Sequence, residues 1–264
     1  MYPITLTSDF GQKSHYAASI KGIILSHFNN VNIIEISHEV PPFNLYKAAF
    51  IFKNAYLNFP ENTFHFLFND LHSSNSKKIL YVYENNQHIL APDNGILTLL
   101  FDDKPIRIFS LIDNIEPFNF IQVGTQYCNI VKAILNGVNP YLEIASIDKL
   151  KVAKPSYPYD DGKFVEVQVM HIDVYGNVVL NITKSQFEEY RKGRKFKILF
   201  MRNEEISELS THYNDVPTNN VLCLFNSNEY LEIALNRGNA AQIFGFEDLD
   251  DRSLFYTKIK IFFE

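Results

Sequence analysis

Glycine is scarce in this chain and badly spaced for a phosphate site. The 264 residues hold ten glycines, and no two stand in a G-x-G spacing. A Walker loop or a dinucleotide fingerprint needs close glycines so that backbone N–H groups can approach phosphate. Side chains must therefore hold any nucleotide-like ligand. Two cysteines, Cys128 and Cys223, lie far apart in mostly apolar surroundings. They read as buried free thiols in a reducing compartment rather than as a disulfide framework. A basic excess is missing too: the net charge is −6 and the pI about 5.8, which argues against the clustered positive face of a nucleic-acid binder. No apolar run approaches the roughly 20 residues of a membrane helix, and no basic stretch with an apolar signal segment precedes the first strand. A cytoplasmic protein is expected. Repeats and low-complexity segments are absent.

What is present is ordinary for a globular chain, with 46% hydrophobic and 20% charged residues, enough for one large or two ordinary domains. Residues 1–152 alternate strand and helix patterns. Strands are expected at 4–7, 31–36, 63–68, 79–83, 88–90 and 106–112, and helices at 16–28, from Asn44 through 57, and at 127–135 before Asn136-Gly137. That alternation predicts an α/β domain with a mostly parallel sheet covered on both faces. Pro155, Pro158 and Asp160-Asp161-Gly162 mark a linker over 153–162. Residues 163–264 read as short strands with one helix over 184–192, so a smaller all-β barrel domain is expected.

Two places carry candidate chemistry. The stretch His171 to Ile182 reads as two strands meeting at a turn, with Asp173, Tyr175, Gly176 and Asn177 at its mouth. A carboxylate, an amide and a flat ring suit a ligand with a cationic part and a heterocycle. The competing reading is a tight hairpin whose Asp and Asn bond only their own backbone. Asp9 and Asp70 each follow a predicted strand of the first domain, where open α/β sheets place ligands. Those two carboxylates also fit a sugar hydrolase, and His65, Asp70 and His72 a metal set, but no metal or cofactor is expected.

Six stretches in one order strengthen the first reading. They are Thr7-Ser8-Asp9-Phe10-Gly11, Lys21-Gly22, His38-Glu39-Val40-Pro41-Pro42, Ala91 to Thr98, Ile172 to Asn177, and Asn236-Arg237-Gly238-Asn239-Ala240-Ala241. Together they resemble the S-adenosylmethionine hydroxide adenosyltransferases, relatives of the fluorinase and chlorinase enzymes. The resemblance implies a homotrimer with nucleoside sites between subunits. It also implies attack of water at C5′ of S-adenosylmethionine, releasing adenosine and methionine. By it, Asp9 grips the ribose hydroxyls and Phe43 lies beside the ribose. Asp173 holds the methionine ammonium, and Tyr175 and Tyr213 sandwich adenine. Asn177 reads the adenine edge, Ser227 contacts the methionine carboxylate, and Ala240 offers a backbone contact. Asn228 stands where halogenating relatives carry arginine, and Ser73 is a remnant of their halide pocket.

The catalytic set departs from that pattern. Asp70 matches the family aspartate, but Lys77 replaces an arginine and so loses the planar fork. Val123 falls where a histidine is expected. His72, two residues past Asp70, is the candidate substitute acid–base group. A non-catalytic binder or sensor of S-adenosylmethionine or adenosine is the alternative to a hydrolase.

Overall fold

The computed structural model describes residues 2–72, 77–101, 106–111, 115–140, 142–201, 204–246 and 257–264. The chain divides into two compact units, Met1–Pro155 and Ser156–Glu264.

In the first unit the central strands are buried on both faces, so they read as near-continuous apolar runs. These are β1 (Pro3–Thr7), β3 (Phe64–Leu67) and β5 (Gln87–Pro92). With β2 (Asn32–Ser37), β4 (Ile79–Glu84), β6 (Ile108–Leu111) and β7 (Leu142–Ile144) they form one sheet of order β2-β1-β3-β5-β4-β6-β7. Helices α1 (Tyr16–His27) and α4 (Phe120–Leu135) cover one face, packing Ile20, Ile24, Val123 and Tyr127 against Ile4, Leu6, Phe64 and Phe66. Helices α2 (Leu45–Ala55) and α3 (Ile96–Phe101) cover the other, packing Ala48, Phe52 and Leu97 against Leu67, Val82 and Ile89.

The sheet is mixed, not mostly parallel. Three ladders are parallel (β1 with β2, β1 with β3, β3 with β5) and three antiparallel (β4 with β5, β4 with β6, β6 with β7). The cause is local. Asn85 and Asn86 both take left-handed φ, 52° and 59°, as a tight primed turn requires, so β4 folds back as a hairpin onto β5. The helix expected from Tyr127 begins seven residues earlier, at Phe120. The Asn119 side chain accepts from the N–H groups of Ile121 and Gln122 and caps it, as asparagine does at this position. Gly124, inside this helix, is a contact point: a Cβ there would lie 2.8 Å from Ile20 Cδ1 of α1.

The second unit is an eight-stranded antiparallel sheet rolled into a barrel-like form. It comprises β8 (Tyr159–Asp160), β9 (Phe164–Ile172), β10 (Val178–Thr183), β11 (Phe196–Met201), β12 (Glu204–Ile206), β13 (Val221–Phe225), β14 (Tyr230–Leu235) and β15 (Lys258–Phe263). The order is β12-β11-β15-β9-β10-β14-β13, with β8 beside β9. Ser210 N–H donates to Cys223 O at 2.8 Å, so the chain leaving β12 meets β13 and nearly closes the sheet. Helix α5 (Lys184–Arg191) starts on a capping box made by Thr183 and Gln186, and puts Phe187 into the barrel core. A short helix, α6 (Ala240–Ile243), follows β14. The cysteines are free and buried, Cys128 in the first unit and Cys223 in the second, and burial pushes both thiols up to about 12. No helix among the described residues is long and apolar enough to cross a membrane.

Two buried imidazoles link stability to pH. His65 Nδ1 lies 2.6 Å from Thr5 Oγ1 and its Nε2 3.3 Å from Gln87 Oε1, a bridge across β1, β3 and β5. His88 Nδ1 lies 2.9 Å from the Tyr81 hydroxyl. Burial lowers both rings to about 4. Both are neutral when folded, and the unfolded chain binds protons first, so their contribution is complete above pH 6.5 and is lost as pH falls toward 4. For His65 the loss is about 3 kcal/mol. Urea midpoints between pH 7.5 and 4.5 should fall in the wild type and fall less in His65→Gln; identical falls would contradict the assignment.

Candidate functional site

In the first unit the site is built at the carboxyl ends of the parallel strands. β1 ends at Thr7 and delivers Ser8 and Asp9; β3 ends at Leu67 and delivers Asn69 and Asp70; the segment after β2 delivers His38 and Phe43. Asp9 Oδ2 accepts from Phe43 N–H and from Asp70 N–H, each at 3.1 Å. Both donors are non-glycine residues with left-handed backbones, φ 64° and 44°, a conformation that costs energy unless something holds it. One carboxylate oxygen supplies the hold. Among the described residues no protein group bonds Oδ1, so it keeps its acceptor capacity. Phe43 stands 73% exposed beside it.

Further residues brace this turn. Asn94, just past β5, donates from Nδ2 to Asn69 O at 2.7 Å and to Asp70 O at 3.3 Å. The Asn69 amide, turned to satisfy both groups, donates to Thr7 O and accepts from Asp9 N–H. Ser8 Oγ lies 2.6 Å from His38 Nδ1. The His38 ring is buried, and burial lowers its proton affinity despite Glu35 nearby. Glu35 is held down by its ion pair with Lys21. His38, Asn69 and Asn94 are site residues that sequence reasoning missed. The motifs contained His38 and Asn94, but only the fold shows what they bond.

The candidate catalytic residues are less gathered. Asp70 is at the turn. Lys77 Nζ donates to Glu116 Oε1 at 2.6 Å, an exposed ion pair. His72 is exposed. Ser73 lies outside the described residues. Val123 is 0% exposed on α4, part of the core with Phe68 and Leu71. His65 is in the sheet, turned toward Thr5 and Gln87, and no group of three or more metal-ligating side chains occurs among the described residues.

In the second unit Asp173 organises the turn between β9 and β10. Its Oδ1 accepts from the N–H groups of Tyr175 and Asn177, each at 2.9 Å, and its Oδ2 from Asn177 Nδ2 at 3.0 Å. The self-bonding hairpin is therefore real, yet Oδ2 retains a lone pair and the Tyr175 ring stands 73% exposed. Gly176, at φ 79°, packs against the Asn239 side chain with no room for a Cβ. Its carbonyl accepts from Ala241 N–H at 2.8 Å, and Asn239 caps α6. So the Ile172–Asn177 and Asn236–Ala241 stretches form one body, with Ala240 buried at the start of α6. Tyr213 donates its hydroxyl to Glu232 Oε1 at 2.8 Å. Ser227 and Asn228 lie exposed in the turn between β13 and β14.

Removing the Asp9 carboxylate orphans two backbone amides. Asp9→Ala should destabilise the fold by about 1–3 kcal/mol, whereas Asp9→Asn, which keeps an acceptor oxygen, should cost less. Denaturant midpoints for both variants test this. Gly176→Ala should also destabilise, through the Asn239 clash; an unchanged midpoint would contradict the packing.

Comparison with known proteins follows this division. Residues 4–124 match the model of the SAM hydroxide adenosyltransferase N-terminal domain, and residues 167–252 that of the C-terminal domain. A Methanocaldococcus jannaschii protein named (R)-S-adenosyl-L-methionine hydrolase is 28% identical, covering 96% of this chain and 95% of its own. A Thermus thermophilus protein of the same name is 21% identical, over 94% and 97%. The crystal structure of an uncharacterized conserved protein from Thermotoga maritima superposes with a TM-score of 0.79 at 26% identity, covering 98% and 99% of the two chains. With both domain models matched in order over most of its length, the chain belongs to the SAM hydroxide adenosyltransferase family.

Proposed function

We propose that the protein hydrolyses S-adenosyl-L-methionine to adenosine and L-methionine. The observation that carries this reading is the Asp9 turn: one oxygen fixed by two loop amides, the other left to accept ribose hydroxyls. The names of the full-length relatives support the same chemistry. In this reading Phe43 lies along the ribose, and Tyr175 and Tyr213 stack on adenine. Asn177 reads the adenine edge, Asp173 takes the methionine ammonium, Ser227 and Asn228 meet the methionine carboxylate, and Ala240 offers backbone to the base. The assembly is a cytoplasmic homotrimer, each site drawing on two subunits.

In the reaction a water oxygen forms a bond to C5′ while the C5′–S bond breaks. The bonding pair leaves with sulfur, and the departing thioether is neutral. Water must lose a proton; Asp70 orients it and accepts or relays that proton, with His72 and Lys77 as neighbours in sequence. The sulfonium leaves readily, so holding water in line supplies much of the acceleration.

A second reading, a binder without turnover, draws on two observations. Val123 is sealed in the core where the family resemblance expects an imidazole, and Lys77 is engaged by Glu116. Incubating the protein with S-adenosylmethionine and separating the products by chromatography distinguishes them. Hydrolysis predicts adenosine and methionine in equal amounts, reduced about 100-fold or more in Asp70→Asn. Adenosine at the uncatalysed rate, with calorimetric binding retained, would replace the hydrolase with the binder.

A further inference from the structure

Glu232 is a buried titratable group that the proposed reaction leaves unused. It lies on β14 with Leu231, Ile233, Ala234 and Leu235, all buried, and is itself 3% exposed. A carboxylate in such a place needs donors for both oxygens. It has them, and they come from two different loops. Oε1 accepts from the Tyr213 hydroxyl at 2.8 Å, and Oε2 from Asn226 Nδ2 at 3.1 Å.

Neither partner is incidental. Tyr213 belongs to a single helical turn, Tyr213–Asp215, and its ring is half-exposed. A ring held at its hydroxyl by a charged acceptor loses most of its freedom. Asn226 opens the turn between β13 and β14. While its Nδ2 donates to Glu232, its Oδ1 accepts from Asn228 N–H at 3.0 Å and Tyr230 N–H at 3.2 Å. The Asn226 side chain therefore fixes the loop that carries Ser227 and Asn228, and Glu232 fixes Asn226. Burial raises the proton affinity of Glu232, the two donors lower it, and the charge of Asp173 adds a smaller rise.

We propose that Glu232 is a positioning residue for the ligand site. Through its two oxygens it ties the Tyr213 ring to the Ser227–Asn228 turn, so that the base-stacking and amino-acid ends of the site are set by one carboxylate. This rests on the proposed function for the nature of the ligand. The arrangement needs no contact between Glu232 and the ligand; it acts by reducing the freedom of two loops before binding.

Titrating the full-length protein with adenosine, which lacks the amino-acid end, and with S-adenosylmethionine tests the proposal. Tyr213→Phe keeps the ring and removes the tether. It should weaken adenosine about tenfold, the factor expected of a hydrogen bond to a charged group. Glu232→Ala should weaken adenosine by a similar factor and S-adenosylmethionine by more, because it frees both loops. The double variant should bind adenosine no worse than the weaker single variant, since both remove one tether. Glu232→Gln, which keeps an acceptor oxygen, should recover part of the loss. If Glu232→Ala fails to fold, Tyr213→Phe and Glu232→Gln still decide the matter. Adenosine affinity unchanged in Tyr213→Phe, or additive losses in the double variant, would overturn the tie. Failure of the wild type to bind any adenosine compound would instead defeat the proposed function.

Discussion

A single carboxylate oxygen accepting from two backbone amides is the contact on which the first unit's site depends. Asp9 Oδ2 reaches Phe43 and Asp70, residues that sit after different strands and hold left-handed backbones without being glycine. Such conformations persist only where surroundings over-determine them. The surroundings here are Asn94 on the carbonyls of Asn69 and Asp70, Asn69 on β1, and His38 on Ser8. The effect is a turn in which an aromatic ring and two carboxylates are held at the strand ends, where open α/β sheets bind ligands. The same carboxylate is both brace and candidate ligand group, which is why its loss should be felt in the fold as well as in binding.

The second unit uses the same device twice. Asp173 ties its own hairpin, and Glu232 ties two loops across the edge of the barrel-like sheet. In both cases a carboxylate, an acceptor-only group, collects N–H and O–H donors from loop segments. In the proposed function, this is how a chain with no phosphate cradle holds a nucleoside. Backbone approach through glycine is replaced by side-chain acceptors, and Gly176 serves packing against Asn239.

Much of this was legible in the residues. Asp9 and Asp70 follow apolar runs, so their place at strand ends was readable without coordinates, and the strand-rich character after 163 announced the second sheet. Other parts were hidden for physical reasons. The start of α4 was placed too late: Asn119 caps the helix at Phe120, and Gly124 lies inside it, where a small residue is needed against Ile20. The mixed sheet was misread because strand direction depends on the Asn85-Asn86 turn and not on strand composition. Glu232 was visible as one charge in a run of apolar residues, but its role required knowing which loops lay beside it. His38 and Asn94 stood in motifs whose bonding partners are far away in sequence.

In the proposed function the ribose hydroxyls are the ligand groups recognised by the braced carboxylate. Calorimetric titration of the wild-type protein with adenosine and with 2′,3′-dideoxyadenosine compares ligands that differ only there. Adenosine should bind at least about tenfold more tightly, the worth of charge-assisted hydrogen bonds from the hydroxyls to Asp9. Equal affinities for the two nucleosides would contradict it.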